Sequence, residues 1–160
     1  RARPPRTRLK RSALLAAALC FPAAVTACSS AQQETWQVVA IYAEPDLPGN
    51  LPADAAGTVN VRLTDTKETP SFAGTTPCAE VTGTLTQNDD EQVTAIDTVE
   101  FGAITNDDSC IGGARHTHNQ LAELLKPGTA IAMAKPSEEE LRVVLSPDAV
   151  NPPSIWLRRL

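Results

Sequence analysis

The chain has 160 residues, a formal net charge of −5 and 42% apolar residues. This length suits one folded domain built around a single core. With 19 acidic against 14 basic side chains, the composition is atypical of nucleic-acid-binding proteins, whose affinity depends on clustered Lys and Arg.

Residues 1–27 have the organisation of a secretory signal. Residues 1–11 carry six positive charges and no acid, and residues 12–27 are almost entirely small and apolar. This apolar run is shorter than the ~20 residues of a membrane-spanning helix, and Pro22 interrupts it. The pattern predicts an exported protein. Residue 1 is Arg rather than Met, which leaves an upstream N-terminus open.

The signal ends in Val25-Thr26-Ala27-Cys28, which resembles the lipobox of bacterial lipoproteins, with Val25 where Leu is commoner. The resemblance implies that the Cys28 thiol takes lipid, that the chain is cut before Cys28, and that Cys28 becomes the first mature residue. The protein would then be lipid-anchored at the extracytoplasmic face of the cell membrane. An ordinary signal with a chance cysteine, or an uncleaved anchor, is the alternative.

Removal of residues 1–27 would leave a strongly acidic chain. It keeps 8 of the 14 basic residues and all 19 acidic residues, a formal charge of −11. Such a chain is a poor partner for nucleic acid or for anionic lipid surfaces. We therefore expect attachment to the membrane to depend on the lipid on Cys28, since two acyl chains suffice for stable anchoring.

The cysteines agree with export. Cys20 lies in the signal and Cys28 would carry lipid, which leaves Cys78 and Cys110. An even pair in an oxidising compartment predicts one disulfide. Closing this loop would contribute about 3–4 kcal/mol in the chain-entropy model.

The mature chain reads as a polar tether at residues 28–34 followed by a β-rich domain over residues 35–160. In the first strand, predicted over residues 35–42, alternation places four side chains on one face: Trp36, Val38, Ala40 and Tyr42. Further strands are predicted over residues 58–64, 79–87, 93–101, 129–134, 141–145 and 154–160, with a short extended piece at 71–73. Gly83 falls on an inward position, which indicates a bulge or a close backbone crossing.

One helix is predicted, over residues 118–126. Its leucines recur at i, i+3 and i+4, Thr117 and Gln120 have capping-box spacing, and Pro127-Gly128 ends it. About seven strands and one helix predict a mainly β (α+β) fold, a small antiparallel β-barrel or roll with the helix packed across it. No alternating βα series is present, which argues against a doubly wound nucleotide-binding fold.

The order of these elements resembles the META domain of HslJ-like bacterial envelope proteins, over roughly residues 35–160. The likeness rests on TWQV at 35–38, VNVRLTD at 59–65, the spacing of Phe72, Gly74, Cys78 and Gly83, VEFGAIT at 99–105, Cys110, and the leucine helix. Ala79 stands where that family usually has Asn, and the helix is shortened. The resemblance implies a β-rich fold and an envelope or stress-linked role. It implies no enzymatic activity and supplies no catalytic residue.

Few groups offer chemistry. His116 and His118, with the acids at 107–108, are weak candidate ligands for Zn²⁺ or Cu²⁺. We expect instead that both histidines lie in a solvated loop. Cys110 with His116 has the composition of a nucleophile and its base, but an exported cysteine with a partner at Cys78 is more often oxidised.

Three other features favour structural roles. The acidic runs at 89–91 and 138–140 lack the Ca²⁺-loop pattern and read as solvated turns. Gly112-Gly113 is compatible with an anion nest, but such a pair usually forms a bend. Trp36 and Trp156 are expected in the core, where the first and last strands pair.

These features together predict a non-enzymatic envelope lipoprotein without a cofactor, whose barrel binds a protein or another envelope component. The alternative is a lipoprotein that binds a small ligand or a metal, at the barrel mouth or the His116/His118 loop. An enzyme is the third hypothesis. A contiguous exposed apolar patch would favour the first reading, and a deep pocket with convergent polar groups the second.

Overall fold

The computed structural model describes residues 32–105 and 107–160. It is mainly β with one helix, as predicted, although it has eight strands rather than about seven. In chain order the elements are β1 (Gln32–Tyr42), β2 (Asn60–Asp65), β3 (Ser71–Thr75), β4 (Glu80–Gln87), β5 (Val93–Phe101), α1 (Gly112–Leu124), β6 (Ile131–Ser137), β7 (Glu140–Leu145) and β8 (Ser154–Arg159).

All eight strands form one antiparallel sheet in the order β5-β4-β3-β2-β1-β8-β7-β6. The first and last strands are neighbours, as predicted. The sheet curls into a half-barrel whose edge strands approach each other at an isolated bridge between Ala95 and Ala130. The Ile96 amide donates to the Thr129 carbonyl beside that bridge, at 2.9 Å. Within the described residues, no continuous ladder joins β5 to β6.

The core fills the inside of this curl. In and just before β2, the alternation of Val59, Val61 and Leu63 places these three side chains inward, as predicted. On β4, Gly83 also faces inward, and a Cβ there would collide with the Phe72 ring and the Thr98 carbonyl. The close crossing predicted at Gly83 is therefore confirmed, because the Phe72 ring occupies the space a side chain would need.

The prediction for β1 is wrong beyond Val38. Trp36 and Val38 are buried, but the pairing with β8 shifts register between Val38 and Ala40. An extra residue in a strand inverts the period-two alternation. Ile41 therefore enters the core, whereas Tyr42 lies against Trp156 on the outer face, with ring centroids 5.3 Å apart.

β1 also begins at Gln32, three residues before the predicted start, so residues 32–34 belong to the sheet and not to the tether. Gln32 pairs with Asp65 and Glu34 with Leu63 of β2. Within the described part of the chain, no helix combines the length and the apolar character needed to cross a bilayer.

The helix begins six residues earlier than predicted and ends at Leu124. The predicted cap at Thr117 is wrong, since Thr117 is fully buried inside the helix. The cap comes instead from Asp54, in the loop between β1 and β2, whose Oδ2 accepts the Ala114 amide at 3.1 Å. A Cβ on Gly113 would collide with the Asp54 carboxylate, so this glycine permits the approach.

Candidate binding sites

The predicted disulfide joins Cys78 to Cys110, with Cα atoms 5.1 Å apart. It ties the turn between β3 and β4 to the segment that precedes α1. Cys110 is fully buried, and as a disulfide its sulfur is neither a free nucleophile nor a free metal ligand. Cys28, the predicted lipidation site, lies outside the described residues.

Protein groups hold both sides of this disulfide. Arg115 Nε donates to the Cys110 carbonyl at 2.9 Å, and its guanidinium pairs with Asp107 Oδ1 at 3.0 Å. On the other side, Thr76 Oγ1 accepts the Cys78 and Ala79 amides at 3.2 and 3.0 Å. The groups around Cys110 therefore stabilise a turn and a helix start.

The two histidines lie on α1 and not in a solvated loop, so that prediction is wrong. His116 is exposed, whereas His118 is buried with its Nδ1 hydrogen-bonded to Thr76 Oγ1 at 2.7 Å. The His118 ring packs edge-on against Phe101. Burial, followed by the charge of Arg115, lowers the pKa of His118.

Helical geometry separates the two rings. Residues i and i+2 point about 200° apart around a helix, so His116 and His118 cannot share a metal ion. Within residues 32–105 and 107–160, no three His, Cys, Asp or Glu side chains are placed to hold one.

We expect His118→Ala to destabilise the domain by about 2 kcal/mol, because it removes a buried hydrogen bond and leaves space in the core. His116→Ala, the matched control, should change stability by less than about 0.5 kcal/mol. Urea unfolding of each variant, with and without Zn²⁺, measures both effects. A Zn²⁺-dependent rise in the free energy of unfolding that either variant abolishes would establish a metal site instead.

The same pair of variants tests a pH dependence. Because the pKa of His118 is lower in the folded state than its ordinary 6.5, the unfolded chain takes up the proton first as the pH falls. Wild-type stability should therefore fall below about pH 6.5, and His118→Ala should lose that part of the decline. An unchanged pH profile in His118→Ala would contradict the assignment.

The two acidic runs are exposed turn regions, as predicted. Residues 89–91 lie between β4 and β5. Residues 138–139 lie between β6 and β7, and Glu140 is the first residue of β7. Glu138 is 3.7 Å from the Arg159 guanidinium. Both runs lie at the end of the barrel where β1 begins, since β4 and β6 end there and β5 and β7 start there.

Trp156 is not in the core, contrary to the prediction. Ile155 and Leu157 point inward, so Trp156 lies on the outer face, 37% exposed. The Arg142 guanidinium stacks on its ring, 4.1 Å from the centroid, and Tyr42 packs beside it. With Val39, which is 40% exposed at the β1 bulge, these three side chains form what we call the tryptophan patch.

The tryptophan patch borders a shallow groove of about 80 Å³ that runs along β7 and β8. Arg142 makes no ion pair with another described residue, and its Nε is buried without a hydrogen-bond partner. Arg158 lies beside the groove, opposite Glu140 on the neighbouring strand. The patch therefore offers aromatic surface and the unpaired Arg142 guanidinium, while Arg158 and Glu140 balance each other along the groove.

A second cavity lies inside the barrel. It has a volume of about 100 Å³ and is lined almost entirely by apolar side chains from the strands, from Leu121 of α1 and from Leu125 just after the helix. A wider space of about 220 Å³ adjoins it at the end where β1 begins. Four residues line both spaces: Leu63, Leu85, Met133 and Leu141.

Charged groups surround this open end. Glu34 accepts from Lys135 at 2.9 Å and from Arg159 at 3.3 Å, and the Lys135 ammonium lies 5.4 Å from the Trp36 ring centroid. The hydrogen bond from Lys135, followed by the two positive charges, outweighs partial burial and lowers the pKa of Glu34. Sequence reasoning missed this cluster. The available signal was that Glu34 shares the inward face of Trp36 and Val38.

Comparison with known protein families, with curated proteins and with solved structures finds no match for this chain. The sites above are therefore interpreted from the geometry of the chain itself.

Proposed function

We propose that the protein is a non-enzymatic envelope lipoprotein, held at the extracytoplasmic face of the cell membrane by lipid on Cys28. Its META-like β-rich domain docks an acidic segment of an envelope protein on the tryptophan patch. The observation that carries the docking proposal is the exposed stack of Arg142 on Trp156, with Tyr42 beside it. The signal-like residues 1–27 and the disulfide support export.

The short segment between Cys28 and β1 supports an orientation in which the open end of the barrel faces the membrane. Cys28 precedes Gln32 by four residues, which span at most ~14 Å when fully extended. The open end of the barrel, where β1 begins, would then lie close to the bilayer. Tyr42 ends β1 and therefore lies at the opposite end of that strand, so the Tyr42 side of the tryptophan patch would be accessible to a partner above the membrane, whereas the groove extends past Pro136 and Glu140 towards the open end.

The patch also indicates the chemistry of the partner. Trp, Tyr and Arg are the side chains most enriched at the energetic centres of protein interfaces. A guanidinium that lies over an aromatic ring can still donate from its terminal nitrogens to both oxygens of a carboxylate. We therefore expect a partner segment in which an acidic residue neighbours an apolar side chain that fills the groove beside Pro136.

Photo-crosslinking in native membranes tests this docking surface. A crosslinking side chain at Val39 should give a discrete product, whereas one at Thr82, on the exposed outer face of β4, should not. Arg142→Glu or Trp156→Ser should reduce the product at least about tenfold, and Arg142→Lys should retain part of it. The crosslinked peptide, identified by mass spectrometry, should be acidic.

Two outcomes would refute the docking proposal. One is equal crosslinking from Thr82 and Val39, and the other is a product that Arg142→Glu leaves unchanged. Arg142 and Trp156 lie on the outer face, so we expect their substitution to leave the melting temperature unchanged. An unchanged melting temperature would exclude unfolding as the reason for a lost crosslinked product.

A further inference from the structure

The space at the open end of the barrel and the apolar cavity behind it share four lining side chains, and together they form a candidate site inside the curl of the sheet, across the sheet from the tryptophan patch. We propose that this site binds a small cationic amphiphile, a short alkyl chain that carries an ammonium group. The proposal does not depend on the docking surface or on the lipid anchor.

The interior cavity determines the apolar part of the ligand. Its volume of about 100 Å³ is enclosed by aliphatic and aromatic side chains such as Val38, Phe72 and Ile155. Such cavities stay dry, and one of about 150 Å³ admits benzene. A short alkyl chain therefore matches both the size and the lining of the space.

The four side chains that line both spaces determine where the ligand leaves the core. An alkyl chain lying against Leu63, Leu85, Met133 and Leu141 would emerge at the open end. The polar end of the ligand would therefore lie among the charged groups there and not among the apolar walls.

The charges at the open end determine the head group. The charged residues that line this space are Glu34, Asp65, Glu91 and Lys135. Lys135 is already paired with Glu34, whereas Asp65 and Glu91 make no ion pair with any described residue. The site thus has two uncompensated carboxylates, which favour an ammonium head and disfavour a carboxylate.

The other charged groups near the open end do not reverse its excess of negative charge. Arg159 is held between Glu34 and Glu138. The adjoining turns add four negative charges, at 89–90 and 138–139. In the turn after β2, the positive charge of Lys67 is offset by its neighbour Glu68. An anionic head would have to displace Glu34 from Lys135 while facing Asp65.

Met133 provides a single reporter for the test, because it is the only methionine in the sequence and lines both spaces. The protein, labelled with ¹³C-methyl methionine, is titrated in solution with hexylamine, hexanol and hexanoate. Hexylamine should shift the Met133 methyl resonance saturably, with a roughly millimolar Kd. Hexanoate should bind at least about tenfold more weakly.

Two sets of substitutions separate the contribution of the ligand's ammonium head group from that of its alkyl chain. Asp65→Asn with Glu91→Gln should weaken hexylamine about tenfold and leave hexanol unchanged, since both side chains are exposed and unpaired. Glu100→Gln, an exposed acid on β5 outside this site, is the matched control and should change neither. The proposal is overturned if hexylamine causes no saturable shift, if hexanoate binds as tightly, or if the double substitution has no effect on hexylamine.

Discussion

Reduction of the Cys78–Cys110 bond should lower the melting temperature of the domain by roughly 10 °C or more. The two cysteines are 32 residues apart, and opening that loop restores about 3–4 kcal/mol of chain entropy to the unfolded state. The net stability of a domain this size is typically about 5–15 kcal/mol, so the loss is a large fraction. The helix start should loosen first, because Cys110 precedes α1 directly.

The double variant Cys78→Ser/Cys110→Ser is the matched control. It should melt near the temperature of the reduced wild type and should not respond to reductant. Amide hydrogen exchange in the first half of α1 should rise in both samples. Freely titrating thiols at both positions in the exported protein, or a double variant as stable as the oxidised wild type, would contradict this role of the disulfide.

The second large effect concerns location. Cys28→Ala should move the protein out of the mature membrane-bound pool, leaving it either unprocessed or released. The reason is electrostatic as well as covalent, since a mature chain with a formal charge of −11 gains nothing from an anionic bilayer surface. Cell fractionation with immunoblotting measures both the size and the location of the product.

Cys20→Ala is the control for this variant, because it removes a cysteine from the proposed signal without touching the proposed lipobox. It should leave processing and membrane attachment unchanged. If the Cys28→Ala protein stays in the membrane at its mature size, the lipoprotein proposal is wrong.

The fold class could be predicted from the sequence because most strands keep a regular alternation. The run at residues 58–64 places Val59, Val61 and Leu63 inward, and the structure confirms all three. The side-chain pattern on β1 could not be predicted, because the bulge near Val39 exists only through pairing with β8. The same bulge helps to explain why Tyr42 meets Trp156 outside the core.

Most features of the candidate sites depend on contacts between residues that are far apart in the sequence. The disulfide could be predicted by counting cysteines, since setting aside Cys20 and Cys28 leaves one pair. The helix cap could not, because Asp54 precedes Ala114 by 60 residues. Glu34 and Lys135 are 101 residues apart, and only the closure of the sheet brings them together at the open end. The buried partner of His118 is Thr76, 42 residues earlier in the turn between β3 and β4, which the sequence around His118 does not indicate.

The central claim is that Cys28 is the lipidated first residue of the mature protein. Intact-mass and N-terminal peptide spectrometry of the protein extracted from its own membranes tests it most directly. The account predicts a chain that begins at Cys28 and carries the added mass of a diacylglyceryl group on its sulfur. A mature chain that begins elsewhere, retains residues 1–27, or carries an unmodified Cys28 thiol would contradict it.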